Sequence, residues 1–204
     1  MRLLWLAGDD AALDEGVTEL IAVATEQGFP HWRAQAAIYR GWAMVKNGDV
    51  AEGMSLLRSG AAAYRSGGAE LFVPHYMALV AAACEISGQV EESLTLLNDA
   101  LGIIERTGER WLAAELNRHK GRLLQGRGYY DAAESLYLKA LGIAGEQAAR
   151  LWELRAARSL ARLYREQHRP DKARDFLAPV YASFTEGFHT PDLEEAKALL
   201  DELG

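Results

Sequence analysis

Two columns of arginines carry the most informative chemistry in this chain of 204 residues. Arg118 and Arg122 lie four residues apart, and Arg155, Arg158 and Arg162 recur at steps of three and four. On a helix those steps place side chains on one face, so each set is a row of guanidinium forks. A planar fork with five donors matches a carboxylate or phosphate bidentately, which makes both rows candidate contacts for an acidic segment. Glu115, His119, Gln125, Ser159 and Arg165 continue the same faces. Earlier in the chain the corresponding positions are different in kind: Gln35, Ile38, Tyr39 and Trp42, then His75, Ala78 and Leu79. Tyr39 and Trp42 suit burial of a hydrophobic anchor of a bound peptide. The competing account of the arginines is that they pair with nearby acids such as Glu115, Glu153 and Glu166 and simply solvate a helix face.

Other chemistries find little support. Cys84 is the single cysteine and sits in Ala81-Ala82-Ala83-Cys84, where it reads as a small buried hydrophobe. One cysteine makes no internal disulfide and no cysteine-based metal site. The histidines, at 31, 75, 119, 168 and 189, have no His-x-x-x-His spacing, so neither metal nor cofactor is expected. Glu91-Glu92 and Glu194-Glu195 are adjacent on helices, diverge, and cannot serve as an acid/base pair. Gly67-Gly68 is a helix stop, since no Lys-Ser/Thr follows it. The chain is therefore not expected to be an enzyme. A formal charge of −7 argues against nucleic-acid binding, and the apolar runs are too short and too charged to span a bilayer. No signal-peptide core follows Met1, and a cytoplasmic location is expected.

The elements that position these residues form a repeat. The string GQVEESLTLLNDAL from Gly88 has counterparts at Gly48 (GDVAEGMSLL), Gly128 (GYYDAAESLYLKAL) and His168 (HRPDKARDFLAPVY), with a faint copy at Gly8. The starts at 8, 48, 88, 128 and 168 give a period of 40 residues. Each unit reads as two helices. In the outer one, Val90, Leu94, Leu97, Leu101 and Ile104 make one apolar face, and acids occupy the first turn, where the helix dipole favours them. Asp49 and Glu52 have the spacing of a capping box. A second glycine column, at 28, 68 and 108, ends these helices, with Ala148 breaking the series. The inner helices span roughly His31–Lys46, Leu71–Ile86, Arg110–Gln125 and Leu151–Glu166. Gly41, Ala81, Gly121 and Ala161 share one offset within them and allow close helix packing. Trp32, Trp111 and Trp152 fall near the inner-helix starts and are expected to pack between units.

The ends are less regular. Residues 1–7 look like the tail of an inner helix. Thr190-Pro191 reads as an N-cap and first helical residue of a capping helix over 190–204. Its stripe is Leu193, Ala196, Leu200 and Leu203, with Asp192, Glu194, Glu195, Asp201 and Glu202 expected in water. Pro179 falls inside the last outer helix, where it should bend it. No Pro/Ser-rich linker interrupts the chain, so a single repeat domain over 1–204 is expected.

In the third unit, Gly121, Leu124, Gly128, Ala133, Tyr137 and Ala140 resemble the tetratricopeptide (TPR) pattern, whose usual period is 34. The longer period here is expected to lengthen the helix pair. The strings LWELRAARSLARLYREQ and FTEGFHTPDLEEAKALLDEL, with GFPHWRAQAAIYRGWAM and ERTGERWLAAELNRHKGRLL, resemble more narrowly the C-terminal repeats of bacterial signalling proteins. In those proteins a cyclase or regulatory domain and an AAA-type ATPase precede the repeats. The resemblance implies an all-α, right-handed, TPR-like superhelical solenoid of antiparallel helix pairs. It also implies that the inner helices line a concave groove. The expected function is a scaffold or sensor arm of a bacterial signal-transduction protein. It would hold a protein or peptide segment, acidic in character, against Tyr39, Trp42, His75, Arg118, Arg122, Arg155, Arg158 and Arg162. Two alternatives are a regulatory domain sensing a small ligand, and self-association into a homo-oligomer through the N-terminal edge.

Overall fold

The computed structural model describes residues 1–68 and 70–204, and among them the regular structure is helical. The α-helices are α1 (Arg2–Ala7), α2 (Asp10–Glu26), α3 (Pro30–Lys46), α4 (Val50–Ser66), α5 (Val73–Ile86), α6 (Val90–Thr107), α7 (Ala113–Gly126), α8 (Tyr130–Glu146), α9 (Arg150–Glu166), α10 (Pro170–Ala182) and α11 (Pro191–Glu202). A 3₁₀ turn over Arg110–Leu112 leads into α7. The chain resolves into two compact units, Met1–Glu109 and Arg110–Gly204.

Inner and outer helices differ in how they are buried, and the sequence shows why. Each outer helix hides one stripe, as in Ser93, Leu97, Ala100 and Ile104 of α6 or Ala133, Tyr137, Ala140 and Ala144 of α8. The steps of three and four put that stripe on one face, and the rest of the helix is charged or polar. Full burial of one leucine such as Leu97 stabilises the fold by about 2 kcal/mol. The inner helices α5 and α9 are covered on more sides, so runs such as Val73, Pro74, His75 and Tyr76, or Ala156, Ala157, Arg158 and Ser159, are buried consecutively.

Left-handed turns punctuate the chain. Gly28, Gly48, Gly88, Gly108 and Gly128 all have positive φ, and so do Ala148 (50°) and His168 (57°). The same hydrogen bond closes the turn in both classes. Phe29 N–H donates to Ala24 O at 2.9 Å, and Ala149 N–H donates to Ala144 O at 2.9 Å. The turn therefore forms where the helix register demands it, and glycine only lowers its cost by the roughly 1 kcal/mol that an L-residue adds there.

Small residues set the separation of α3 and α4. A Cβ on Gly41 would lie 2.5 Å from Leu57 N and 2.6 Å from Gly53 O, and one on Gly53 would lie 2.8 Å from Gly41 O. The two backbones meet there, as the matched small residues led us to expect. Gly121 is different: a Cβ would meet the Tyr137 ring at 2.7 Å, so it makes room for a side chain.

Several local expectations need correction. Asp49 accepts no hydrogen bond at the start of α4, so no capping box forms; Asp9 does cap α2, accepting from Ala12 N–H at 3.0 Å. Thr190 stands at the N-cap of α11, but its hydroxyl donates backwards to Gly187 O at 2.7 Å. The buried stripe of α11 is Leu193, Ala196, Leu199 and Leu203, so Leu199 replaces Leu200 as its third member. That rotation turns Asp192 away from water. Trp152 is buried, whereas Trp32 is 46% exposed at the edge of a cleft beside α1.

Candidate interaction faces

In the second unit the arginines of α9, and Arg118 of α7, already hold acidic partners within the molecule. Arg155 grips Asp192 bidentately, with Nε 2.9 Å from both carboxylate oxygens and an Nη 2.6 Å from one of them. Arg158 reaches the same carboxylate at 3.1 Å, the Asp192 carbonyl at 3.1 Å and Glu195 at 3.4 Å. Arg162 pairs with Glu195 at 2.8 Å, and Arg165 pairs with Glu202. The column on α9 thus lies along an acidic row on α11. Asp192 was expected in water, yet its side chain is only 14% exposed, because two guanidinium groups enclose it. Burial works against the charge on Arg158 and lowers its pKa, and Asp192 and Glu195 oppose that shift.

On α7, Arg118 makes a second closed pair. Its Nε and one Nη donate to the two oxygens of Glu115 at 2.7 Å each, and the other Nη donates to Ser159 Oγ at 3.2 Å. Both members are largely enclosed, which disfavours both charges. The pairing outweighs this, so Glu115 titrates below the usual carboxylate range and Arg118 holds its proton more tightly than usual. The accessible part of the arginine surface is Arg122, which is exposed, and the half-exposed Arg162 and Arg165.

In the first unit, Tyr39 and His75 are both 0% exposed, which corrects the expectation that they stand open in a groove. The inner helices are covered on more faces than a two-sided pattern implies. Tyr39 Oη and His75 Nε2 share a hydrogen bond at 2.9 Å, and Gln35 Nε2 donates to Tyr76 Oη at 2.6 Å. Tyr64 stacks edge-on against Tyr76, with ring centroids 4.6 Å apart. Burial, followed by the nearby charge of Arg2, lowers the His75 pKa to about 3, so its imidazole is neutral. Burial also pushes the Tyr64 phenol up to about 12. Trp42 is partly buried against the same core.

Helix α1 lies over this cluster. The Arg2 guanidinium carbon sits 3.4 Å from the centroid of the Phe72 ring, and the Trp5 ring meets the His75 ring edge-on at 4.7 Å. A cleft of about 580 Å³ runs beside α1, lined by Arg2, Leu3, Leu20, Val23, Trp32 and Gln35 among others. Reading the sequence missed Arg2, Trp5, Tyr76 and Asp192. The spacing of Asp192 and Glu195, three apart like Arg155 and Arg158, was an available signal for the α9–α11 row. Nothing local connects Trp5 to His75, 70 residues away in sequence.

Comparison with known proteins places these helices in a recognisable architecture. Residues 112–186 match the tetratricopeptide repeat family. The chain is 29% identical over 130 residues to an uncharacterized protein of Rhizobium meliloti, an alignment covering 63% of this chain and 13% of that protein. The chain therefore spans a small part of that relative's length. Among solved structures, BtubC (BKLC) from P. vanneervenii superposes with a TM-score of 0.70 at 17% identity, covering 97% of this chain and 89% of that one. A kinesin light chain of P. anserina with nearly identical TPR-like repeats gives 0.66 at 21% identity, with 85% and 86% covered. The apo form of the quorum sensor NprR from B. thuringiensis gives 0.70 at 18% identity, covering 99% of this chain and 57% of that one. The likeness at these identities is one of fold, and the fold is TPR-like.

Proposed function

We propose that this chain is a protein-interaction scaffold that holds an acidic segment of a partner, as the repeat arm of a larger bacterial signal-transduction protein. The observation that carries the reading is the arginine column of α9, which already holds an acidic helix: α11 presents Asp192, Glu195 and Glu202 to it. The same pairing is made within the molecule, and Arg122, Arg162 and Arg165 keep part of their side chains accessible to solvent. Planar guanidinium groups on helices suit such capture, because their orientation is largely fixed before the partner arrives. The signalling context is supported by the resemblance of the repeat strings, and the reading as part of a longer protein by the much greater length of the Rhizobium relative.

The test uses the exposed arginines, since Arg158 is committed to Asp192. A photo-crosslinking residue at position 122, in the chain expressed in its native host, should trap a discrete protein whose crosslinked peptide is rich in Asp and Glu. Arg162→Glu should cut the yield several-fold, and Arg162→Lys should retain most of it, with the helical circular dichroism unchanged in both. An undiminished adduct in Arg162→Glu, or a trapped peptide without acids, refutes the acidic-partner reading.

A further inference from the structure

Helices α2 and α4 flank α3 in the first unit, and between them lies a cleft of about 520 Å³. Its floor is made of small residues, Ala34 and Ala37 from α3 and Gly60 and Ala63 from α4. A Cβ on Gly60 would lie 2.9 Å from Ile38 N and 3.0 Å from Ala34 O. Helix α4 therefore sits tight on α3 and puts little side-chain bulk into the gap. Ile21 of α2 lines the cleft and stands 40% exposed.

The second unit shows the same gap filled. Helix α8 opens at Tyr130 where α2 opens at Asp10, α9 at Arg150 where α3 opens at Pro30, and α10 at Pro170 where α4 opens at Val50. Positions 120 apart thus correspond. Ala34 has Leu154 as its counterpart, Leu56 has Phe176, Gly60 has Val180 and Ile21 has Leu141. Leu154 is fully buried, and Leu141, Phe176 and Val180 pack against the core of their unit. The bulk that closes the gap there is missing from the first unit, which leaves an apolar groove open to water. The charge at its rim differs too. Glu153, the counterpart of Arg33, is held by Arg150 at 2.8 Å. Arg33 is exposed on the groove, and among the described residues no acid pairs with it. Arg40, two turns further along α3, is tied to Asp14 at 2.7 Å.

We propose that this groove is a docking site for an amphipathic helix of a partner protein, which inserts two bulky apolar side chains one turn apart and sets a carboxylate on Arg33. The apolar pair supplies the bulk that Phe176 and Val180, also four residues apart, supply in the second unit. Residues four apart share a helix face, which is how a helix anchors in a groove. The lining follows α3 from Pro30 to Arg40, about 15 Å of helical rise, so it accommodates roughly three turns. Arg33 selects the sign of the partner's charge: its fork accepts a carboxylate bidentately, and a cation placed there meets Arg33 and Arg40 together. Burial of the apolar pair supplies the affinity and the ion pair sets the direction of the helix. The inference is independent of the arginine column on α9, since it concerns the other unit and a mainly apolar contact.

The probe is a fluorescent, alanine-based helical peptide with Phe and Leu four residues apart and a Glu one turn beyond each, which allows either direction. It is titrated into the full chain and followed by fluorescence anisotropy. The wild type should bind it saturably. Arg33→Glu, which reverses the charge, and Ala63→Phe, which fills the groove, should each weaken binding at least about tenfold. Exchanging both Glu for Lys in the peptide should do the same, and exchanging Phe and Leu for Ser should abolish binding. No saturable binding, or binding that survives both Arg33→Glu and Ala63→Phe, overturns the proposal. Binding lost in an Arg122→Glu/Arg162→Glu double variant but kept in Arg33→Glu would place the peptide on the second unit and overturn it as well. Methyl NMR of the wild type guards against a variant that fails to fold: the signals of Ile21 and Leu56 should shift on addition of peptide, and shifts confined to other residues overturn the proposal. A wild-type dimer that dissociates in Ala63→Phe would identify the occupant as a second copy of this chain and overturn the partner reading. Crosslinking at position 122 reads the second unit separately, so an acidic adduct there without peptide binding here sinks only this inference.

Discussion

Acid should weaken the first unit through one side chain, His75. Its imidazole is buried under Trp5, hydrogen-bonded to Tyr39 and held neutral, with its pKa lowered to about 3 by burial and then by Arg2. In the unfolded chain the same group titrates near 6.5. The unfolded state therefore binds a proton that the folded state refuses, and the contribution of neutral His75 is complete only above the unfolded pKa. It falls as pH drops from there towards the folded value, at about 1.4 kcal/mol per pH unit once the unfolded imidazole is fully protonated. Between pH 7 and pH 5 the loss integrates to about 2 kcal/mol. A domain stable by roughly 5–15 kcal/mol shows such a change clearly.

The assay is urea unfolding at pH 7 and pH 5, followed by circular dichroism, on the wild type and on His75→Gln. Glutamine keeps a hydrogen-bonding group near Tyr39 and does not titrate, so the remaining histidines and the carboxylates contribute equally to both proteins. The wild type should lose about 2 kcal/mol more than the variant over this interval. NMR of the His75 ring should show a neutral imidazole at pH 5. Equal pH dependence in the two proteins would falsify the account, because it would mean that His75 is solvated or charged in the folded state.

Two further outcomes follow from packing and charge. Gly41→Ala should destabilise the first unit by about 1–3 kcal/mol, because the new methyl would press on the α4 backbone, whereas Gly142→Ala on the open surface of α8 should stabilise by up to about 1 kcal/mol through helix propensity; thermal unfolding of both variants decides, and a shared sign defeats the argument. Asp192→Ala should cost about 3 kcal/mol, since it removes the carboxylate that Arg155 and Arg158 share at a site where both are largely buried; the loss should appear as fast hydrogen exchange in α11 with α7–α9 still protected, and unaltered protection of α11 would show that the row is not what holds it.

Helices and turns were legible because their signals are local. The stripe Leu97, Ala100, Ile104 repeats at helical steps, and glycines such as Gly108 mark the ends, so the helix boundaries are recovered to within a few residues. Even there, Ala148 and His168 show that the turn follows from helix register and does not need glycine. The interaction faces were only half legible. Spacing puts Arg155, Arg158 and Arg162 on one side of α9, but their partners lie more than 30 residues away on α11, and no periodicity within α9 announces them. Asp192 was assigned to water by a stripe drawn through Leu200, and a stripe drawn through Leu199 turns it inward. Tyr39 and His75 were placed in the open for a related reason. A helical pattern distinguishes an apolar face from a polar one, but it does not show when the polar face is also covered.

That covering is what the two units have in common. In the first, α1 lies on an aromatic and polar surface and contributes a cation to it. In the second, α11 lies on a cationic surface and contributes acids to it. In each case the covering helix carries the complement of the face beneath. Asp192 is enclosed by two guanidinium groups and is costly to withdraw, and α1 is packed on the core through Leu4 and Trp5.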